Sequence, residues 1–312
     1  MIEAQTVSKK FGSHFAVKNA SFTIGDGERV AFLGRSGAGK TTLLNILSGF
    51  IAASDGRITV NGVDLVKCPL KARQNICYLP KNATLYTHMT AEEHLKFISG
   101  LRHVSKARRD ELAAMALERL SIHDKQHRLI KTLDKADRMR VSLAGALCSG
   151  ADILMMDEPT AGLEPDDVTQ IRSAIRSFQK TLIVASSNIQ EVTALCSRVF
   201  IMHEGSIVAN DALENFSQAA GGRKRVAVRL AAGRATGLAL LKNIDGVDTV
   251  ECEGSKEPGT FDYTVDALCD VRGGIFSAAA RAGIVLLGLK TMSVTLEDVF
   301  YQMTCETKGM AG

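Results

Sequence analysis

The stretch Gly34-Arg35-Ser36-Gly37-Ala38-Gly39-Lys40-Thr41, continued by Thr42, decides the fold. It fits the pattern G-x-x-x-x-G-K-[ST]. The β-rich run Val30 to Leu33 leads into it, and Thr41-Thr42-Leu43-Leu44 opens a helical run spanning Gly39 to Ser48. A strand that ends in a glycine-rich turn and restarts as a helix is an arrangement that cradles phosphate. Glycines let successive backbone N–H groups turn inward around phosphate oxygens, and the helix N-terminus adds the positive end of its dipole. Lys40 is placed to reach the β- and γ-phosphates of a nucleoside triphosphate, and the Thr41 hydroxyl to ligate Mg2+. The predicted nucleotide contacts are therefore Gly34, Arg35, Ser36, Gly37, Ala38, Gly39, Lys40, Thr41 and Thr42.

The second half of the site lies in Ile153-Leu154-Met155-Met156-Asp157-Glu158. Four apolar residues ending in two acids describe a buried strand that delivers carboxylates to its C-terminal edge, where open α/β sheets bind ligands. Asp157 is expected to hold Mg2+, largely through water. Glu158 is expected to orient an attacking water or accept its proton. Taken alone, this segment reads equally as a strand ending at a solvated turn. The phosphate loop about 115 residues upstream favours the functional reading.

Around these motifs the chain alternates β-rich and helical runs up to about Val208. Val17 to Ile24 and Arg29 to Leu33 read as strands separated by Gly25-Asp26-Gly27, and Arg57 to Val60 as a strand closed by Asn61-Gly62. Ile153 to Met156, Leu182 to Ala185 and Val199 to Met202 are compact apolar runs of the buried parallel type. Ala91 to Leu101 and Ser105 to Leu120 are amphipathic without an intervening strand, which predicts a helical insertion. The expected fold is α/β, a nucleotide-binding domain over residues 1–216 with a helical subdomain over about 85–147. Ser217 to Arg223 reads as a linker. Residues 224–312 show a β-α-β-β-α-β order, which predicts a small C-terminal α+β domain of the ferredoxin-like type.

Composition limits the alternatives. The chain has 312 residues, 46% of them hydrophobic and 23% charged, and a net charge of +4, too mild to indicate nucleic acid as a partner. Basic residues between Arg102 and Arg109 read as solvated helix faces. Seven scattered cysteines without a CxxC pair fit a reducing compartment and indicate neither a disulfide framework nor a zinc site. Met1 to Ser8 lacks a signal-peptide layout. No window reaches the roughly 18 to 20 apolar residues that span a bilayer.

With Asp157-Glu158-Pro159-Thr160-Ala161-Gly162-Leu163-Glu164-Pro165, residues 1 to 216 resemble the ATP-binding subunits of ABC transporters. The tail Ser293-Val294-Thr295-Leu296-Glu297-Asp298-Val299-Phe300 is similar to that of the ABC-2-type exporter branch, the drug, antibiotic and gliding type. The resemblance implies a P-loop NTPase fold of the ABC type, ATP and Mg2+ as ligands, and hydrolysis by Glu158 coupled to transport, with export as the direction. It implies as partners an integral-membrane permease on a separate chain and a second ABC subunit, identical or different. It also implies a peripheral place on the cytoplasmic face of the cell membrane. Phe11 in Lys9-Lys10-Phe11-Gly12 matches the aromatic residue that stacks on adenine, and a plain core or edge aromatic is the alternative. Leu85 to Thr90 falls where such subunits receive a permease helix, and an ordinary exposed loop is the alternative.

Five positions depart from the family pattern, Asp134 and Ala136 among them. The signature segment reads Leu133-Asp134-Lys135-Ala136, where the family has Leu-Ser-Gly-Gly-Gln or Leu-Ser-Lys-Gly. Asp134 can cap a helix but has no proton to give a γ-phosphate. Two unit charges about 4 Å apart at an effective dielectric near 20 interact by roughly 4 kcal/mol. Lys81 stands at the Q-loop position, where it cannot ligate Mg2+ but can pair with a phosphate. Ser187 stands at the switch histidine and Glu164 at the D-loop aspartate. The intact Lys40, Thr41, Asp157 and Glu158 imply that ATP and Mg2+ binding survives, and the departures imply weak hydrolysis when two copies pair. An ATP-sensing regulatory protein, or a degenerate partner in a heterodimer, is the second reading.

Overall fold

The computed structural model describes residues 1–82, 85–219, 224–254, 257, 259–292 and 300. The tail segment 293–299, with Glu297 and Asp298, lies outside the described residues. The chain divides into two compact units, Met1–Asp211 and Ala212–Gly312.

In chain order the first unit carries β1 (Ile2–Phe11), β2 (His14–Ile24), β3 (Arg29–Leu33), α1 (Lys40–Leu47), β4 (Asp55–Val60), β5 (Val63–Asp64), α2 (Pro69–Arg73) and β6 (Ile76–Leu79). The helices α3 (Ala91–Leu101), α4 (Lys106–Arg119) and α5 (Lys135–Cys148) follow. The unit ends with β7 (Ile153–Asp157), α6 (Pro165–Arg176), β8 (Thr181–Ser186), α7 (Ile189–Leu195), β9 (Arg198–His203) and β10 (Ser206–Ala212). Two sheets result. One is four-stranded, in the order β2-β1-β4-β5, with antiparallel pairing throughout. The other is six-stranded, in the order β10-β9-β3-β8-β7-β6, and is parallel from β9 to β6.

The parallel strands are apolar because both faces are covered. Val30 and Phe32, Ile153 and Met155, Ile183 and Ala185, and Phe200 and Met202 point to one side. There they share a core with Leu43, Leu44 and Leu47 of α1 and with Ile2, Val17, Phe22 and Ile58 of the antiparallel sheet. The alternate residues Leu33, Leu154, Met156, Val184 and Ile201 are buried as well, as the period of two requires. Phe22, Phe32 and Phe200 form an aromatic cluster with ring centroids 5.1 to 5.4 Å apart. The amphipathic helix α1 is thus fixed beneath the loop that precedes it.

The helical insertion is present as α3, α4 and α5. Thr90 and Glu93 close a capping box at the start of α3, satisfying two backbone donors that would otherwise be orphaned. The segment before it is structured by its own side chains and main chain. Tyr86 packs edge-on against Phe97 with centroids 4.9 Å apart, and Thr87 O accepts from Lys131 N at 3.1 Å. Of the basic residues from 102 to 109, Lys106 and Arg108 are exposed as solvated faces are, whereas Arg102 and Arg109 are half-buried and bonded. Arg102 donates to Gln74 O and Ile76 O, both at 2.7 Å, and Arg109 Nε donates to Val104 O.

The second unit opens with α8 (Leu213–Ala219), so the helix reaches into the segment expected as linker. Leu213 and Phe216 supply its helical apolar spacing, and Phe216 is buried. Then come β11 (Lys224–Ala231), α9 (Arg234–Lys242), β12 (Val247–Gly254), β13 (Phe261–Ala267), α10 (Arg272–Arg281) and β14 (Val285–Met292). The strands form an antiparallel sheet in the order β12-β13-β11-β14, the arrangement of a β-α-β-β-α-β unit with its two crossover helices. Val226, Val228, Leu230, Tyr263 and Val265 pack with Leu241 of α9 and Ile275 and Ala279 of α10. The other face of the sheet carries the cross-strand pairs Arg225–Asp266 and Arg229–Asp262.

Gly237 in α9 lies directly over Tyr263, where a Cβ would sit 2.2 Å from the phenol oxygen. Alanine in mid-helix gains about 1 kcal/mol of propensity over glycine. Tyr263 is fully buried and cannot swing aside, and overpacking costs about 1–3 kcal/mol. The clash is therefore expected to win. Gly237→Ala should lower the denaturation midpoint of the full chain, and an unchanged or raised midpoint would show that the ring gives way freely.

Candidate functional site

The phosphate loop connects β3 to α1 and meets two backbone segments at van der Waals range. A Cβ on Gly34 would lie 2.6 Å from Met202 O, and one on Gly39 would lie 2.2 Å from Ala16 O. Gly39 also has φ +98°, a region that side chains rarely enter. Gly37 has open space around it and is required only by its φ of +84°. Arg35, Ser36 and Gly37 form the exposed crest, Ala38 is buried, and Thr42 is half-buried in the first turn of α1. Lys40 is buried and donates to Gly34 O at 2.6 Å and Arg35 O at 3.1 Å. Burial lowers its pKa, and the nearby Glu158 and Asp157 charges oppose that shift.

The register of the parallel sheet brings the acid strand to this loop. Asp157 pairs with Ala185 at the end of β7, and its Oδ2 accepts from Thr41 Oγ1 at 2.7 Å. Its Oδ1 is buried and has no hydrogen-bond partner among the described residues. Burial raises the Asp157 pKa, with the Thr41 hydroxyl acting in the opposite direction. An orphaned buried carboxylate oxygen beside a hydroxyl is a hard oxygen donor set. It fits Mg2+, which takes one or two protein oxygens together with substrate phosphates.

Glu158 follows with φ +50°, an uncommon conformation for a non-glycine residue and one that clusters at functional sites. Its own N–H donates to Ala185 O at 2.8 Å. Its Oε1 accepts from Ser187 N at 3.0 Å and lies 3.8 Å from Lys40 Nζ. The structure therefore brings Lys40, Thr41, Asp157 and Glu158 together. Lys81, exposed beyond the end of β6, adds a positive charge that acts on both Lys40 and Asp157.

Phe11 stands apart from this cluster. It is half exposed at the end of β1, paired with His14 across the hairpin turn, with Lys9 Nζ 5.2 Å from its ring centroid. The same hairpin carries Ala16, which abuts Gly39. Asp134, expected at the signature position, is the N-cap of α5 and accepts from Asp137 N at 2.8 Å. That backbone N–H holds its carboxyl below the ordinary carboxylate range, so the side chain is ionised. Ala136 is buried, and Lys135 Nζ donates to Ala161 O at 2.7 Å. Glu164 is the N-cap of α6 without a side-chain cap bond.

Sequence reasoning missed a neighbouring group. Glu191, in the first turn of α7, is 1% exposed. It accepts from Ser186 Oγ at 2.6 Å and from Thr160 Oγ1 at 2.5 Å. Burial raises its pKa, and the two hydroxyls act against that rise. Only an acid three residues past an N-cap asparagine could have signalled it, and acids in first turns are ordinary.

Residues 17–161 match the family model described as ABC transporter. The ABC transporter ATP-binding protein NatA of Bacillus subtilis (strain 168) is 38% identical over 208 residues, which are 64% of this chain and 83% of that protein. The linearmycin resistance ATP-binding protein LnrL of the same organism is 27% identical over 310 residues, 98% of this chain and 99% of that protein. Among solved structures, the ATP-binding cassette MJ0796, in a dimeric post-hydrolysis state bound to ADP and Pi, aligns with a TM-score of 0.63. That alignment covers 68% of this chain and 99% of the cassette at 23% identity, a likeness of fold. The chain belongs to the family of ABC transporter ATP-binding proteins.

Proposed function

We propose that this chain binds Mg2+ and ATP and works as the nucleotide-binding subunit of a transporter whose permease is a separate polypeptide. The observation that carries the reading is the junction of Thr41–Asp157 with Lys40–Glu158, where an ammonium, a hydroxyl and two carboxylates converge on one loop. Residues 34–42 enclose the phosphates, and Lys40 exchanges its loop carbonyls for β- and γ-phosphate oxygens. Phe11, on the hairpin beside Gly39, stacks on adenine. Thr41 Oγ1 and the free Asp157 Oδ1 hold Mg2+, which neutralises phosphate charge when bound.

Glu158 orients a water against the γ-phosphorus and takes its proton. The new P–O bond forms as the bond to the β,γ-bridging oxygen breaks, releasing ADP and phosphate. The full-length likeness to a protein named for linearmycin resistance supports export as the direction. The docking place is the cytoplasmic face of the membrane, and a second ABC subunit completes each site.

Lys40→Ala is expected to abolish ATP binding, as read by titration with a fluorescent nucleotide. Glu158→Gln should leave affinity within a few-fold and lower turnover by about 10²–10⁴-fold, the range of a lost general base. Normal turnover in Glu158→Gln would remove Glu158 from the reaction.

One observation favours a subunit that pairs with a different ABC chain. The Asp134 carboxylate occupies the signature position, ionised and bound to the N-terminus of α5. Its exposure screens the repulsion of a partner's phosphate but supplies no donor. Restoring the donor and the small residue, as Asp134→Ser with Ala136→Gly, should raise steady-state ATPase of the purified chain by about tenfold or more, the effect of about 1.4 kcal/mol. An unchanged rate, or an unaltered chain already as fast as the double variant, would refute the degenerate self-site.

A further inference from the structure

The switch position of this chain offers a serine, yet the donor that reaches Glu158 there is the backbone N–H of Ser187, 3.0 Å from Oε1. A main-chain donor is only as well aimed as the turn that carries it. That turn is held by three bonds around Ser186. Its carbonyl accepts from Gly34 N at 3.3 Å, its Oγ accepts from Asn188 N at 3.0 Å, and the same Oγ donates to Glu191 Oε2 at 2.6 Å. The other Glu191 oxygen accepts from Thr160 Oγ1 at 2.5 Å, two residues after Glu158. Just after Thr160, Ala161 N donates to Glu158 O at 3.1 Å, closing the turn in which Glu158 takes its positive φ.

We propose that Glu191 is a positioning residue for Glu158: its buried carboxyl clamps the segment that carries Glu158 to the turn that aims Ser187 N–H at it. The two oxygens bind hydroxyls from different segments, so neither segment can shift without breaking a bond inside the core. Buried acids cost stability unless their partners are well placed, and here the partners flank the group whose placement the reaction needs. The charge of Arg172, on α6, favours the ionised form of Glu191. The inference rests on the reading of Glu158 as the residue that handles the attacking water.

The test compares full-length Glu191→Ala and Glu191→Gln in the unaltered and Glu158→Gln backgrounds. Turnover, ATP affinity and hydrogen exchange at the Ser187 amide are measured. Glu191→Ala should lower kcat by about 10²-fold, the cost of misplacing a reacting group by about 1 Å, with the ATP Kd within about threefold. Exchange at Ser187 should accelerate. Glutamine, which can still bridge the two hydroxyls, should restore most of both.

In the Glu158→Gln background Glu191→Ala should cost little further, since residues that act as one unit are not additive. Additive losses, an equal loss of affinity, or unchanged exchange would overturn the clamp. Should Glu191→Ala fail to fold, Thr160→Val removes one of its anchors at constant shape and is expected to act in the same direction. If turnover does not respond to Glu158→Gln, the proposed chemistry fails. Exchange at Ser187 then still decides whether Glu191 holds the turn.

Discussion

The hydrogen bond from Thr41 Oγ1 to Asp157 Oδ2, at 2.7 Å, joins the first turn of α1 to the end of β7, and the first unit is arranged around it. Taking a carboxylate out of water costs several kcal/mol, whereas one hydrogen bond to a charged group contributes about 1.5–3 kcal/mol. The site therefore does not stabilise itself. The deficit is offset by the apolar faces on either side of β7, with Ile153 and Met155 packed toward α1 and Leu154 and Met156 buried behind them. A parallel sheet covered on both faces suits this task, since its strand ends project polar groups while its strand bodies exclude water.

The loop glycines belong to the same constraint. Gly34 and Gly39 let the loop sit against Met202 O and Ala16 O, which ties it to β9 on one side and to the antiparallel sheet on the other. Any side chain there would push the loop off the acid strand. Gly37 has a different reason, its backbone conformation alone. Gly34 is fixed by packing, Gly39 by packing and φ together, and Gly37, at an unspecified position of the pattern, by φ alone.

Much of this was legible in the sequence. The runs Ile153 to Met156, Leu182 to Ala185 and Val199 to Met202 read as buried parallel strands because continuous apolarity over four residues is what double coverage demands, and Arg29 to Leu33 read as a strand from the turn before it. The loop and the acid pair were equally plain. The strand β1 was not, since Gln5, Thr6, Lys9 and Lys10 break the alternation and the ladder shifts register between Ala4 and Val7, Val7 and Lys9, and Lys9 and Lys10. Helix α8 was obscured by the composition after Ser217, because glycine and alanine just past a short helix read as linker. Glu191 was illegible for a deeper reason. Its partners Thr160 and Ser186 lie on two other segments, and no local pattern distinguishes an acid that faces them from one that faces solvent.

On the proposed reading of Ser187 and Asp134 as altered switch and signature positions, the two differ in their physical consequences. A backbone N–H exists at position 187 whatever side chain it carries, proline excepted, so serine there leaves a donor on Glu158 provided the turn keeps its shape. The Ser186, Asn188 and Glu191 bonds supply that shape from buried or capped positions. Position 134 has no such substitute. Its side chain meets the N-terminus of α5 with a carboxylate, and the bond that stabilises the helix also keeps that carboxylate charged. On the proposed roles, geometry compensates the change in what this chain holds for its own nucleotide. On the same roles, what it presents to another's nucleotide is a carboxylate with no proton to donate.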